Sequence, residues 1–441
     1  MLDFFVQGVL GVALRGGQSR VRAALGHIVR LGHDLSSHAV LACLWLVRPL
    51  VRVRIANIRA DRVGHFVPEM DLALALLTDG VAEGRGRELN IFIFPTSTCN
   101  GVLVNLYGEA LSRRRNVKVL HSTQSRLARV LTSPAQRLGR VASTGGSRRY
   151  YCWSPVDGGL DQCGWTQHER PYVHLEAEQI AEAEEAVRAI GLLPNHPLAC
   201  IHIRDRAYLT EQYTYRDWSY HDWRNPPPGT YLRTVEELLE GGYFVVRTGR
   251  SAEMPLPVDH DHFLDYPFWP GKCDLLDVYL YSRAAICISG GPSGIDQLGT
   301  MFNRPTAVTN LTPLEDLRYA LANVVVSPTL LRERTSGRLL GLPEIIANRF
   351  QRTADYREAG LEIVANTDEE IWETVDETIR RGSGLWTEAT EDAELQRAFW
   401  DSAVTLGIES PWSPDDPWSA DFFRSRISAR FLRRHQSLLI A

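Results

Sequence analysis

Two arginines stand directly after short apolar runs that are typical of buried β-strands. Arg204 follows the run Leu198–Ile203, and Arg247 follows the run Tyr243–Val246. A guanidinium is a permanent cation whose planar set of N–H donors suits phosphate. Because ligands of open α/β sheets bind at the carboxyl ends of the strands, the two arginines predict an anion site. The alternative for Arg204 is an ion pair with Asp205 that only fixes a loop.

A glycine-rich turn follows a third apolar run, Ala284–Ser289. Residues 289–296 read S-G-G-P-S-G-I-D and lead into a predicted helix. Backbone N–H groups at such a turn, together with the helix dipole, favour an anion. The turn alone is a weak signal, but the turn and two strand-end arginines together predict a diphosphate pocket. Its predicted lining residues are His202, Arg204, Asp205, Arg247, Gly249, Gly290, Gly291, Ser293, Gly294 and Asp296.

A histidine follows the first predicted strand, Val51–Ile58. The chain continues through Arg62-Val63-Gly64-His65 into a helix predicted at Pro68–Leu77. Gly64 allows a ligand or another part of the chain to approach closely. His65 can serve as a general base near neutral pH, and capping of the following helix is the alternative.

Two further features compete for a functional interpretation. Residues 259–262 read D-H-D-H and resemble a metal cluster, but they follow the proline-rich loop Pro255–Pro257 without a leading apolar strand. A solvated loop is therefore the preferred interpretation. Three tryptophans can each stack on a sugar or a base, or simply pack within loops: Trp218, Trp223 and Trp269.

Strands and helices alternate along most of the chain, which predicts an α/β fold with parallel sheets. We expect two Rossmann-like, doubly wound domains with helical extensions at both ends. The predicted divisions are residues 1–50, a basic segment; 51–190, the first domain; 191–355, the second domain; and 356–441, helices that pack back on the fold. Acidic helices are predicted over 367–406, and a basic amphipathic helix is predicted over 421–439.

The composition fits a globular protein with sizeable cores. The 441 residues are 44% hydrophobic and 23% charged, with a formal net charge of -5. This balance gives no reason to expect nucleic acid as a partner. The seven cysteines are scattered and contain no C-x-x-C pair, which argues against a structural zinc site or a disulfide framework. A reducing, cytoplasmic location fits best.

The first 50 residues are basic. Five arginines stand against two aspartates there, and the apolar stretch 39–47 is too short to span a bilayer. Such a segment can lie on an anionic membrane surface at the inner face of the membrane. A basic helical pair that packs on the fold, or that is poorly ordered, is the alternative.

From about residue 55 to its end, the chain resembles a family of bacterial glycosyltransferases. The strand end His202-Ile203-Arg204 is also similar to the H-x-R element of GDP-fucose-dependent fucosyltransferases, in which the arginine contacts the donor diphosphate. That role carries over to Arg204 only, because the likeness stops after this residue. The pieces that carry the family resemblance are Arg62–His65, His202–Asp205 with Tyr208-Leu209, Tyr243–Gly249, Asp265-Tyr266, Leu276–Leu280, Ser293-Gly294 with Pro305 and Asn310, and Ile427–Leu432.

The resemblance implies a GT-B-type architecture with the acceptor on the first domain and a nucleotide-sugar donor on the second. It implies a hexosyl- or deoxyhexosyltransferase of surface polysaccharide or glycoconjugate biosynthesis, with Arg204 contacting the donor diphosphate. His65 is the candidate base from its position in the sequence, and Arg204 and His65 are the predicted catalytic groups. No cofactor or metal is expected, and the acceptor is a glycan or a lipid-linked molecule. Two other functions stay open, namely a non-catalytic sugar- or nucleotide-binding scaffold and a nucleotide-sugar epimerase or hydrolase.

Overall fold

The structure, a computed structural model, describes most of the chain between residues 39 and 439. Most of the basic segment 1–50, residues 132–170, and residues 421–424 of the predicted carboxy-terminal helix lie outside the described part. Among the described helices, none has the length and apolarity needed to cross a bilayer. The described residues are 39, 42–44, 46–47, 49–78, 88–122, 127–128, 131, 171–215, 217–314, 317, 323–347, 350, 352–405 and 425–439.

The fold is mixed α/β. The strands are β1 Arg52–Asn57, β2 Glu88–Phe94, β3 Val117–His121, β4 Leu198–Ile203, β5 Phe244–Arg247, β6 Phe263–Asp265, β7 Ile286–Gly290, β8 Thr306–Leu311, β9 Val324–Pro328, β10 Leu330–Glu333, β11 Leu361–Val364 and β12 Arg426–Ile427. The helices are α1 Val63–Thr78, α2 Gly101–Ser112, α3 Ala177–Arg188, α4 Ala207–Gln212, α5 Leu232–Glu240, α6 Asp274–Arg283, α7 Asp296–Met301, α8 Leu342–Ala347, α9 Thr353–Glu358, α10 Asp368–Gly382, α11 Thr390–Thr405 and α12 Ala429–Arg434. Short 3-10 helices lie at Ser219–Arg224, Pro228–Tyr231, Tyr266–Phe268 and Gln436–Leu438.

The chain divides into two compact units. The first takes its residues from Met1–Ile58, Ala82–Thr96 and Leu111–Ser154, and the second from Arg59–Val81, Ser97–Ala110 and Pro155–Ala441. The first unit contains a parallel sheet in the order β1-β2-β3. Alternate apolar side chains of the three strands, including Ile55, Ile93 and Leu120, form its core.

The second unit contains a seven-stranded, all-parallel sheet in the order β12-β9-β8-β7-β4-β5-β6. Its central strands are apolar on both faces, as buried parallel strands usually are. Counted from β4, the six strands other than β12 follow the order 3-2-1-4-5-6 of dinucleotide-binding folds. The prediction of a large parallel sheet is confirmed, and β4 begins and ends where the sequence predicted.

Helices cover both faces of this sheet. Ile201 and Ile288 point to one face, where they pack against Val235 of α5 and Ile371 of α10. Their neighbours Cys200 and Cys287 must point to the opposite face, because successive side chains of a strand alternate. Helix α7 lies there, since a Cβ added at its Gly299 would sit 3.0 Å from Cys287 Sγ.

The end of the chain differs from the single helix predicted over 421–439. Residues 426–427 instead form β12, which pairs in parallel with β9 at the sheet edge. Helix α12 follows and buries Phe431 and Leu432 against Phe399 and Trp400 of α11. The strand was missed because two residues cannot display a period-two pattern. Strand β11 likewise interrupts the helices expected after residue 355.

Candidate functional site

The order of the large sheet reverses between β4 and β7, and ligands of such folds bind at the carboxyl ends of the strands at this switch point. Arg204 follows β4 and the glycine-rich turn follows β7. The Arg204 N–H donates to the Gly290 carbonyl oxygen at 2.9 Å. The structure therefore brings together two of the features that the sequence singled out.

The Arg204 guanidinium forms no hydrogen bond or ion pair with any described residue. Its Nε is buried and has no hydrogen-bond partner. Burial, and then the charge of Arg224, lowers the pKa of Arg204 to about 10; Arg62 contributes in the same direction, whereas the charges of Asp296 and Asp205 oppose the shift. Taking a cation out of water without a directly bound counter-charge is costly. The surroundings of Arg204 therefore favour an anionic ligand.

The glycine-rich turn is held by its own aspartate. The Asp296 carboxylate accepts hydrogen bonds from the Ser293 N–H at 2.8 Å and from Ser289 Oγ at 2.6 Å. Gly291 has a φ of +79°, and a Cβ there would lie 2.4 Å from the Arg224 carbonyl oxygen. Asp296 thus orders the turn, and it already occupies one of the N–H groups expected to bind a ligand.

A buried polar network supports the first residue of that turn. A Cβ at Gly290 would lie 2.8 Å from Cζ of Tyr231, so only glycine leaves room for this ring. The Tyr231 hydroxyl bonds with Thr309 Oγ1 at 2.8 Å and accepts from Asn310 Nδ2 at 2.8 Å. Asn310 and Asn366 exchange two backbone–amide hydrogen bonds at 2.6 and 2.7 Å. The ends of β7 and β8 are fixed together in this way.

Arg247 occupies a different environment from the one the sequence predicted. Its side chain is 1% exposed, and Nη1 donates to the Met254 carbonyl oxygen at 2.7 Å. The same group lies 3.4 Å from Asp265, and Nη2 lies 3.8 Å from Asp205. In this arrangement the guanidinium cannot reach a ligand in solvent. It neutralises two carboxylates inside the protein and ties β5 to β6 and to the loop after β4.

Asp205, His202 and Gly249 also serve the scaffold. Asp205 accepts hydrogen bonds from the N–H groups of Ala207 at 2.9 Å and Glu253 at 2.8 Å. His202 Nδ1 lies 3.1 Å from the Thr248 carbonyl oxygen, and with the proton on Nδ1 it donates to that oxygen. Gly249 has a φ of +130°, and a Cβ there would lie 3.4 Å from His202 Nδ1. These residues join the carboxyl ends of β4 and β5.

His202 should make the protein sensitive to acid. Burial lowers its pKa to about 4, and the neighbouring charges of Arg204 and Arg247 act in the same direction. The unfolded chain has the ordinary histidine pKa of about 6.5, so it binds more protons than the folded chain below that pH. The free energy of unfolding should therefore fall as the pH drops from about 6.5 to 4, by about 3 kcal/mol from this residue. Chemical denaturation at a series of pH values measures the effect.

A His202→Gln variant supplies the control, because glutamine keeps a donor for the Thr248 carbonyl oxygen and does not titrate. The variant should lose less stability than the wild type over the same pH range. Parallel losses in the two proteins would show that His202 is not responsible.

His65 lies beside the glycine-rich turn. A Cβ at Gly64 would sit 2.5 Å from Cα of Gly294, and one at Gly294 would sit 2.8 Å from the Gly64 nitrogen. The two backbones are in direct contact, and His65 is the next residue along. Burial, and then the charges of Arg59 and Arg62, lowers the pKa of His65. Its Nδ1 is buried without a hydrogen-bond partner, and His65 is the third residue of helix α1.

Two arginines near the site were not singled out from the sequence. Arg62 lies over the rings of Tyr213 and Trp218, with centroid distances of 4.9 and 5.1 Å. Arg224 lies over the ring of Trp223 at 4.5 Å. Arg62 belongs to the stretch 62–65 that was noticed for its glycine and histidine, but no sequence signal links it to aromatic rings about 150 positions away.

The other candidates behave as packing or loop residues. Trp218 and Trp223 are buried, so packing is the better interpretation of both rings. Trp269 folds over Gly271, where a Cβ would meet its ring at 2.4 Å. Residues 259–261 are exposed, as the solvated-loop interpretation predicted. No cluster of three or more potential metal ligands occurs among the described residues.

No protein-family model matches the sequence, and no curated protein matches it significantly. Solved structures with similar folds include the ADP-heptose LPS heptosyltransferase II of E. coli, with 13% identity over 58% of this chain and 84% of that chain and a TM-score of 0.34. A glycosyl transferase family 9 protein of Veillonella parvula has 10% identity over 75% and 98%, with a TM-score of 0.43. The iron-containing dodecameric glycosyltransferase TibC of enterotoxigenic E. coli has 12% identity over 62% and 60%, with a TM-score of 0.32. At such TM-scores these similarities carry no argument about activity.

Proposed function

We propose that this protein is a glycosyltransferase that takes a sugar from a nucleotide-diphosphate sugar and transfers it to an acceptor hydroxyl. The observation that carries the proposal is the Arg204 guanidinium, which is desolvated at the switch point of the parallel sheet and forms no hydrogen bond or ion pair with any described residue. A nucleoside diphosphate group supplies a negative charge in direct contact with it. The glycine-rich turn beside Arg204 lets the backbone approach such a group closely.

Transfer breaks the bond between the anomeric carbon and the donor phosphate oxygen while the acceptor oxygen bonds to that carbon. Negative charge then grows on the leaving diphosphate, where Arg204 stabilises it. The acceptor hydroxyl loses its proton to His65, which is neutral at physiological pH because its pKa is lowered. Protein cations supply the charge stabilisation in this scheme, so it requires no metal.

The finer parts of the proposal rest on the family resemblance and on the basic character of residues 1–50. They are a GT-B-type division with the acceptor bound by residues 51–190 and the donor by residues 191–355, and a role in surface polysaccharide or glycoconjugate biosynthesis. A glycan or lipid-linked acceptor and a reversible contact of residues 1–50 with an anionic membrane complete it.

A panel of nucleoside diphosphates and nucleotide sugars tests the proposal. A ligand that binds only the folded state raises the stability of that state. At least one nucleoside diphosphate should therefore raise the melting temperature of the protein more than the monophosphate of the same nucleoside does. The matching nucleotide sugar should release free nucleoside diphosphate only when a glycan or lipid-linked acceptor is added.

Three outcomes contradict the proposal in different ways. Release without any acceptor would indicate an epimerase or hydrolase, and binding without any turnover would indicate a scaffold. If no compound of the panel changes the melting temperature, then the protein has no diphosphate site.

A further inference from the structure

A second cation near the proposed site is held between two aromatic rings. The Arg62 guanidinium lies 4.9 Å from the centroid of Tyr213 and 5.1 Å from that of Trp218. The two rings are 5.7 Å apart at an interplanar angle of 61°, so they bracket the guanidinium from two directions. Aromatic faces attract a guanidinium and leave its N–H edge free to bind another group.

Hydrogen bonds hold this bracket to the chain around Arg62. The Tyr213 hydroxyl donates to the Asp61 carbonyl oxygen at 3.2 Å, and Trp218 Nε1 donates to the Tyr213 carbonyl oxygen at 3.1 Å. The rings are therefore fixed relative to the backbone that carries Arg62. Such fixed surroundings limit the conformations that the arginine side chain can adopt.

Arg62 keeps most of its donors available. Its one described acidic neighbour is Asp61, whose Oδ2 lies 3.7 Å from Nε, beyond normal hydrogen-bond distance. Nε itself is buried and has no hydrogen-bond partner. The charge of Arg62 also acts on Arg204 and lowers the pKa of that guanidinium. The two cations repel each other, and an anion bound to both would remove this repulsion.

The backbone sets the two arginines at opposite ends of the glycine-rich turn. Arg204 is hydrogen bonded to Gly290, where the turn begins. Arg62 is two residues from Gly64, whose backbone touches Gly294 at the other end of the turn. A ligand that reaches both cations must extend across the turn, which suits two linked phosphoryl groups better than one.

We propose that Arg62 binds the same diphosphate as Arg204 and that the rings of Tyr213 and Trp218 position it for this contact. The inference rests on the proposed function and adds a donor-binding residue and its aromatic support. Arg204 takes one phosphoryl group and Arg62 takes the other. Inorganic phosphate, which has a single phosphoryl group, gains little from Arg62.

Titration calorimetry with inorganic pyrophosphate, inorganic phosphate and ADP tests the inference. Arg62→Met keeps the apolar stem against the rings and removes the charge. It should weaken pyrophosphate and ADP binding on the order of ten- to a hundredfold, the usual effect of losing a charge-assisted contact, and should weaken phosphate binding much less. Arg62→Lys should recover part of the affinity. Arg206→Met is the matched control, because Arg206 is exposed and pairs with Glu253 on the surface.

The aromatic support is tested by a double-mutant cycle. Tyr213→Leu should weaken pyrophosphate binding when Arg62 is present and have little further effect in the Arg62→Met background, because the ring acts through Arg62. Equal effects in both backgrounds would show that Tyr213 does not act through Arg62, and would overturn the positioning role.

The outcomes separate this inference from the proposed function. If Arg62→Met binds pyrophosphate as tightly as Arg206→Met does, while Arg204→Met loses binding, then the inference is wrong and the diphosphate site stands. If the wild type binds neither pyrophosphate nor any nucleoside diphosphate, then both the inference about Arg62 and the proposed function are wrong.

Discussion

Replacing Arg204 by methionine should abolish sugar transfer while leaving the unliganded protein as stable as the wild type or more so. The guanidinium is desolvated and has no hydrogen bond or ion pair with any described residue. Removing it relieves the desolvation of a buried cation, which outweighs the attraction of Asp296 and Asp205, and we expect the free energy of unfolding to rise by about 1 kcal/mol or to stay unchanged. Losing a contact that tightens as the leaving diphosphate gains charge should lower the transfer rate by about 10²-fold or more. Chemical denaturation and a transfer assay measure the two effects.

The Arg204→Lys variant should also transfer the sugar slowly, because a lysine ammonium group cannot replace the planar set of N–H donors of a guanidinium. Arg206→Met again serves as the control and should change neither quantity. A stability loss of several kcal/mol in Arg204→Met, with nucleoside diphosphate binding retained, would assign Arg204 to the scaffold.

Replacing Arg247 by methionine should have the opposite effect on stability. Its guanidinium is buried and lies 3.4 Å from Asp265 and 3.8 Å from Asp205. Without it, two carboxylates stay inside the protein without their cation, which we expect to lower the free energy of unfolding by about 3–5 kcal/mol. Any variant that still folds should bind inorganic pyrophosphate as tightly as the wild type does once the folded fraction is taken into account, since Arg247 does not reach solvent.

Two results would contradict this account of Arg247. A stable Arg247→Met protein that fails to bind inorganic pyrophosphate, while the wild type binds it, would restore the ligand contact that the sequence predicted. A triple variant with Asp205→Asn and Asp265→Asn should regain part of the lost stability, because the carboxylate charges are then removed as well. No recovery would mean that the charges are not the cause.

Arg204 and Arg247 show which parts of the site could be predicted from the sequence and which could not. Both follow an apolar run, and that pattern correctly predicts arginines at strand ends of one parallel sheet. Which arginine remains available to a ligand depends on acidic partners elsewhere in the chain. Asp265 reaches Arg247 only because β6 pairs with β5, and β6 has three residues, too few to recognise from alternation.

The same limit applies to Arg62 and to the sheet edge. Tyr213 and Trp218 hold the Arg62 guanidinium. No sequence signal pointed to Tyr213, and packing within a loop explained Trp218 equally well. Strand β9 reads V-V-V-S-P, which is too short an apolar run to be recognised as a strand from the sequence. Strand β12 joins the sheet only through its pairing with β9. Central strands are predictable because they are apolar on both faces, whereas edge strands and site-building loops depend on tertiary partners.

The contact between the Gly64 and Gly294 backbones also bears on the entropy of ligand binding. Ordering side chains and loops on association costs about 0.5–1.5 kcal/mol for each immobilised side chain. The contact leaves no room between the start of α1 and the turn after β7. The stretches that carry Arg62, His65 and Ser293 are therefore already packed against each other before any ligand arrives. A ligand meets these groups already in place, so little of its interaction energy goes into organising them, and more of it is left to lower the barrier to reaction.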